Sequence, residues 1–256
     1  MPGTLEGFYL IGSVALGAFR PDRSDIDFVA VLSGSLDDAR LRRLRAINRL
    51  RFAIETGRGL GCGHRSWPLG LNGVFVRWGD LARAASEVVP IAFQVASHFD
   101  VGTSSEVNPV DWRLLAEQGI TVRGPDRHEL QVFTDAGELR AWVVDNLHTY
   151  WSDWVHAVRA RGWWAAKALL RHGAAHGVLG APRLHATLAT GAIISKEQAG
   201  EYSRETFAPE WRTLIHEALA YWRGEPATAR YRFPMRRRHD AADFVAAVIA
   251  DASTRF

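Results

Sequence analysis

The chain has 256 residues, 47% hydrophobic and 23% charged, with a formal net charge of +3. This balance supports a buried core in one large domain or two smaller ones, and it excludes a disordered, collagen-like or disulfide-built chain. The charge excess is too small to mark a nucleic-acid binder, the single Cys62 rules out an internal disulfide, and no apolar run reaches the length of a membrane span.

Leu5–Ile11 and residues 25–32 are short, rich in Val, Ile and Phe and bounded by turn residues, which predicts two strands. Between them lie a small apolar stretch and the turn-like RPDRS. A helix is predicted over 36–55, where Leu41, Leu44, Ile47, Leu50 and Ile54 recur at helical spacing with arginines on the other face. Residues 57–73 are Gly-rich and read as an irregular loop, and 73–76 as a third strand. Asn108 and Pro109 suit the cap and first position of a helix ending near Gly119, and 120–126 return as a strand and turn. After Thr134 strand signals vanish, and helices are predicted over 135–159, 163–176, 182–190, 195–206, 209–223 and 240–251. Ser195 with Gln198 fits a capping box. The ten tryptophans are expected mostly in the core. The cysteine usage, with an N-terminus lacking a basic head and a long apolar stretch, predicts a cytoplasmic protein without a signal peptide.

In an extended chain alternate residues share a face, so Asp25 and Asp27 point the same way, roughly 6.6 Å apart. Such carboxylates do not bond each other; either they lie open to water or a cation sits between them. Gly12 lets backbone approach a ligand, and Ser13 offers a hydroxyl and an N–H where a phosphate fits. Mg²⁺ takes one or two carboxylates together with substrate phosphates, which matches this set. Gly-Ser alone is a turn and Asp-x-Asp alone is common on exposed strand ends; the ordered combination is the signal.

GSVALGAFRPDRSDIDFVAV, residues 12–31, resembles the signature of the nucleotidyltransferase superfamily with the polymerase-beta-like fold. Residues 182–224, from PRLHATLATG to EALAYWRG, resemble the C-terminal region of the streptomycin/spectinomycin adenylyltransferases. The resemblance implies an α+β nucleotidyltransferase domain with a small mixed sheet over 1–134 and an all-α helical-bundle domain over 135–256. It implies Mg-dependent transfer of AMP from ATP to a hydroxyl of a small molecule, with an aminoglycoside-like antibiotic as acceptor and a link to antibiotic resistance. Asp25 and Asp27 would then hold Mg²⁺, and Gly12, Ser13 and Ser24 would meet the phosphates. Arg183 and Lys196 match ATP-contacting residues, Tyr221 an aromatic near the adenine, Asp111 a further nucleotide-site acid and His176 a residue near the drug. The plainer alternatives are a surface arginine, a solvated first-turn lysine and a core tyrosine. A lysine at a helix start works against the dipole and is better explained by an anion nearby. The expected partners are a nucleotide and a small hydroxylated molecule, with neither membrane nor nucleic acid, and the chain is expected to be a monomer.

Asn72 stands where the family has its proton-accepting acid, and an amide accepts no proton. Three explanations compete: a shifted alignment, another group such as His98 or Asp100, or a nucleotide-binding protein with weak or lost catalysis. The family's drug-contacting acids ahead of Arg183 have no match in LLRHGAAHGVLGA, so streptomycin fits poorly as the acceptor. RYRFPMRRRHD, residues 230–240, is the only support for nucleic-acid binding, and a solvated linker is the simpler reading.

Overall fold

The computed structural model describes residues 4–21, 23–61, 70–226 and 231–256. Its contacts divide the chain into two units, Met1–Glu138 and Leu139–Phe256.

The first unit is built on a mixed six-stranded sheet of order β5-β4-β3-β2-β1-β6. In chain order come β1 (Leu5–Ile11), a single turn α1 (Gly12–Ala15), β2 (Ile26–Leu32), α2 (Asp38–Gly61), β3 (Leu71–Val76) and the short α3 (Trp78–Leu81). Next are β4 (Ala92–Val95), β5 (His98–Asp100), α4 (Pro109–Gln118) and β6 (Ile120–Arg123). β2 and β3 run parallel, and every other neighbouring pair is antiparallel. One face of the sheet builds a core from Phe28, Ala30, Leu32, Phe75, Ala92 and Phe99, against which Leu41 and Leu44 of α2 pack. Asn108 caps α4 by accepting the Asp111 N–H at 3.0 Å, as its sequence predicts.

Two expectations are corrected here. The helix α2 runs on to Gly61, through the start of the expected loop, while residues 62–69, Cys62 included, lie outside the described residues. The apolar spacing also misjudged its buried face: Ile47, Leu50 and Ile54 are exposed, whereas Asn48 is buried. The reason is β5, a strand too short for the sequence pattern to reveal. Arg45 on α2 donates to the Phe99 carbonyl at 3.2 Å and to Asp100 Oδ1 at 2.6 Å, which turns the Leu41–Leu44–Asn48 face inward.

The second unit is helical: α5 (Ala136–Asn146, starting within the first unit), α6 (Ser152–Arg159), α7 (Trp163–Ala168), α8 (Arg171–Thr190), α9 (Lys196–Thr206), α10 (Arg212–Arg223) and α11 (Pro234–Arg255). A π-helical turn, Leu147–Trp151, joins α5 to α6. α8 packs against α9, α10 and α11. Pro182, predicted as a helix start, lies inside α8. An internal proline costs about 3 kcal/mol, and packing of α8 on three neighbours outweighs it. The helix 163–176 breaks instead at Leu169 and Leu170.

Gly177 and Gly180 let the rings of Trp154 and Trp151 lie directly on the α8 backbone, for a Cβ at either glycine would collide with those rings. Gly180→Val is expected to destabilise the chain by about 1–3 kcal/mol, read as a lower denaturation midpoint; an unchanged midpoint would contradict this packing.

The basic stretch is also corrected. From Pro234 on it forms the first turns of α11 rather than a linker, and Arg230 lies outside the described residues. Arg237 is buried and donates to Glu217 Oε1 at 2.7 Å, and Arg238 donates to the carbonyls of Val158, Arg159 and Ala160. Both guanidinium groups are engaged inside the unit. Among the described residues no helix is long and apolar enough to cross a membrane.

Candidate functional site

Strand register brings the motif together. Ile11 faces Asp27 across the β1–β2 pair, and Asp27 faces Asn72 across the parallel β2–β3 pair. The turn after β1, the start of β2 and the start of β3 therefore meet at one end of the sheet.

Asp27 is half-buried, while Asp25 precedes the strand and is exposed. Each carboxylate is seated by a glycine. Gly12 has φ +61°, a conformation that side chains rarely adopt, and a Cβ there would collide with the Asp27 carboxylate. The Gly70 N–H donates to Asp25 Oδ1 at 2.7 Å, and a Cβ at Gly70 would strike that same oxygen. Ser13 Oγ donates to the Asp25 carbonyl at 3.5 Å.

Asn72 is fixed by its other neighbours. Its Oδ1 accepts the Ala96 N–H at 2.9 Å, which leaves Nδ2 to face Asp27 Oδ1 at 3.5 Å. Ala96, at the β4–β5 turn, has φ +51° and is the only non-glycine with positive φ among the described residues. A strained residue thus holds the amide so that it donates toward the Asp pair.

Sequence reasoning missed Glu106. It sits half-buried in the turn before α4, and its carboxyl is pushed up to about 7, first by burial and then by the negative charges of Asp27 and Asp25. Both aspartates therefore act on one further carboxyl. No sequence motif signals this, because packing of α4 on α1 and β1 brings the turn there.

The other expected residues of this unit fall as follows. Ser24 is buried, and its hydroxyl accepts the Arg20 N–H at 3.0 Å, closing the turn before β2. Asp111, in the first turn of α4, accepts from Asn108 Nδ2 at 2.7 Å. His98 is exposed on β5, 3.8 Å from Asp100, and lines a cavity of about 280 Å³ with Arg45, Arg49, Ser97, Phe99 and Asp100. The Val101 N–H, then the Arg45 guanidinium, hold the Asp100 carboxyl below its ordinary range, which makes it a weak base.

Asp25 and Asp27 offer the hard oxygen donors that Mg²⁺ takes, held on glycine cradles. Among the described residues no group of three or more His, Cys, Asp and Glu is arranged to hold a metal ion, so substrate oxygens and water would complete its shell.

In the second unit Lys196 opens α9, where Ser195 and Gln198 form the expected capping box. Its ammonium lies 4.6 Å over the Trp222 ring. Arg183 Nε donates to the Ile194 carbonyl at 2.9 Å, just ahead of that cap. Tyr221 lies under the Arg171 guanidinium at 5.6 Å. His176 accepts or donates at Nε2 to the Tyr150 hydroxyl at 2.9 Å and stacks at 6.1 Å on Trp164. Loss of hydration, then Lys196 and Lys167, hold His176 down at about 3; loss of hydration, then Lys167 and Lys196, hold His172 at about 4.

A pH dependence follows. Between about pH 4 and 6.5 the unfolded chain binds protons at these histidines that the folded chain refuses, so they make stability fall as pH falls. Glu106 acts oppositely: the folded chain keeps its proton up to about 7, so its contribution falls as pH rises from 4.5. In metal-free denaturation experiments, His176→Asn is expected to reduce the slope of stability against pH in the acid window. The expected reduction is about 1.4 kcal/mol per pH unit, one proton's worth. An unaltered slope would show that His176 titrates as in water.

Comparison with known proteins adds three findings. Residues 4–60 match the family model "Nucleotidyltransferase domain", and residues 152–250 match "Aminoglycoside adenylyltransferase, C-terminal domain". The fold resembles the crystal structure of spectinomycin adenyltransferase AAD(9) from Enterococcus faecialis with ATP and spectinomycin. The TM-score is 0.63 at 15% identity, over 97% of this chain and 93% of that one, so this likeness concerns the fold. The search of curated proteins found no match.

Proposed function

We propose that this chain, a nucleotidyltransferase resembling the aminoglycoside adenylyltransferases, transfers AMP from ATP to a hydroxyl of a small molecule. The observation behind the reading is the seating of Asp25 and Asp27 on glycine cradles, with Glu106 responding to both. Asp25 and Asp27 are the residues that would hold Mg²⁺, which when bound offsets the charge of a triphosphate.

In the reaction the acceptor oxygen forms a bond to the α-phosphorus, the bond from that phosphorus to the bridging oxygen breaks, and pyrophosphate leaves. The hydroxyl proton goes to Glu106. Asn72 donates toward Asp27 and accepts no proton, and Asp100 is engaged with Arg45, so Glu106 is the base we assign. Mg²⁺ held by Asp25 and Asp27 would offset the charges that raise the Glu106 carboxyl, favouring the ionised form that takes a proton. Gly12 and Ser13 lie beside the pair, where phosphate oxygens would be met. Arg183 and Lys196 remain the ATP-contacting residues that the family resemblance suggests.

The test incubates the chain with ATP, Mg²⁺ and a panel of hydroxylated acceptors, neutral, cationic and anionic, and reads pyrophosphate. Release that depends on an acceptor supports the reading. Bound ATP with no release across the panel favours the second reading, a nucleotide-binding protein with lost catalysis, to which the orientation of Asn72 gives specific support.

A further inference from the structure

The helix α2 turns one face to the sheet and the other to solvent. Leu41, Leu44 and Asn48 lie on the sheet side, whereas Ile47, Leu50 and Ile54 stand outside, 56, 63 and 46% exposed. Their spacing of three and four residues puts them in one stripe along about two turns, with exposed Ala46 and Ala53 beside it. Arg43 continues the stripe one turn before Ile47, and Arg42 and Arg49, seven residues apart, form a row along the alanine border. Single exposed apolar side chains are ordinary; three in one row on a helix mark a contact surface.

The arginines of α2 divide into two groups. Arg45 is paired with Asp100, Arg40 with Asp37, and Arg51 donates to Asn48 and to the Ala96 carbonyl. Arg42, Arg43 and Arg49 are exposed and make no hydrogen bond or ion pair among the described residues. These three are the ones that border or continue the stripe, and Arg49 also lines the cavity beside β5. The only carboxylate among the described side chains of α2 is Asp38, in its first turn.

Charge and shape select the occupant. A second copy of the chain would lay the same arginines against their own kind, and like charges in contact oppose association. A lipid surface takes a broad face rich in bulky and aromatic side chains; this stripe is narrow, holds no aromatic and has Arg43 on its line. A helix with its own apolar seam and carboxylates on its flanks satisfies both parts. Ile47, Leu50 and Ile54 pack on the seam as in a coiled coil, and the guanidinium groups meet the carboxylates.

We propose that the outer face of α2 is a docking surface for an acidic amphipathic helix of a partner protein. The docking role does not rest on AMP transfer.

The probe is a fluorescein-labelled synthetic peptide of about three heptads, with Leu at the a and d positions and Glu at e and g, whose own charges keep it from pairing with itself. A matching peptide with Lys in place of Glu is the control. Titrated with the full chain at low salt, the Glu peptide is expected to give a saturable rise in anisotropy, and the Lys peptide to bind at least tenfold more weakly. Leu50→Asp is expected to weaken binding of the Glu peptide at least tenfold, and Arg42→Gln combined with Arg49→Gln at least fivefold. Melting temperatures are expected to match wild type, because these side chains are exposed. Ile47→Asp replaces Leu50→Asp if that variant loses stability. Absence of binding by the Glu peptide overturns the proposal, as does equal binding of the Lys peptide or unchanged affinity in the folded variants. Two further results overturn it by identifying another occupant. Sedimentation of a wild-type dimer that Leu50→Asp dissolves points to a second copy, and flotation with phosphatidylglycerol vesicles that depends on Leu50 points to a membrane.

Discussion

Asp27→Asn is expected to lower AMP transfer by about a thousandfold or more while the chain stays folded. Loss of one preorganised charge-stabilising group costs about 10²–10³ in rate, and in the proposed reaction Asp27 would also help to seat the nucleotide. Two features focus the effect on this residue. Asp27 sits where three strands meet, with Ile11 and Asn72 as cross-strand neighbours, and the Gly12 backbone presses against its carboxylate. An amide of the same shape keeps that packing but removes the charge. Melting temperature and circular dichroism check the fold, and pyrophosphate release reads the activity. Wild-type turnover in the folded variant would show that Asp27 serves the sheet rather than the reaction.

The second large effect concerns the proton. Glu106→Gln is expected to reduce turnover by about 10²–10⁴, the usual share of a general base, with little change in ATP affinity. Asn72→Glu places a second carboxylate beside Asp27 and moves the acceptor of the Ala96 N–H out by one methylene. If Glu106 is the base, this variant gains no turnover over wild type and is less stable, because a carboxylate joins three others. If Asn72→Glu instead raises turnover while Glu106→Gln leaves it unchanged, the chain is one whose base was lost at position 72. The two variants together separate these outcomes.

How much of this was legible in the sequence depends on what holds each residue. β1, the cap of α4 and the cap of α9 were readable because local rules determine them: a short aliphatic and aromatic run bounded by turn residues, Asn before Pro, and Ser with Gln three residues later. The Asp pair was readable because both residues and their Gly-Ser partner lie within one stretch of chain. Glu106 was not, since only the docking of α4 on α1 and β1 brings it to the aspartates. The buried face of α2 was misjudged for a related reason: β5 has three residues, too few for a pattern, yet it supplies the polar partners that rotate the helix. Pro182 shows local propensity overruled by packing on three sides. The arginines of residues 236–238 looked like a solvated run because Glu217, which takes Arg237, lies on another helix. In the second unit the resemblance pointed to His176 and Lys196 separately, and only the structure shows them within one electrostatic neighbourhood.

The claim beneath all of this is that Asp25 and Asp27 act as one seat for a divalent ion carrying a nucleotide. Calorimetric titration of ATP with Mg²⁺, with EDTA, and on an Asp25→Ala, Asp27→Ala double variant measures it directly. The account predicts at least tenfold tighter ATP binding with Mg²⁺ than with EDTA in the wild type, and no such difference in the double variant. Equal ATP affinity with and without Mg²⁺ in the wild type would contradict it.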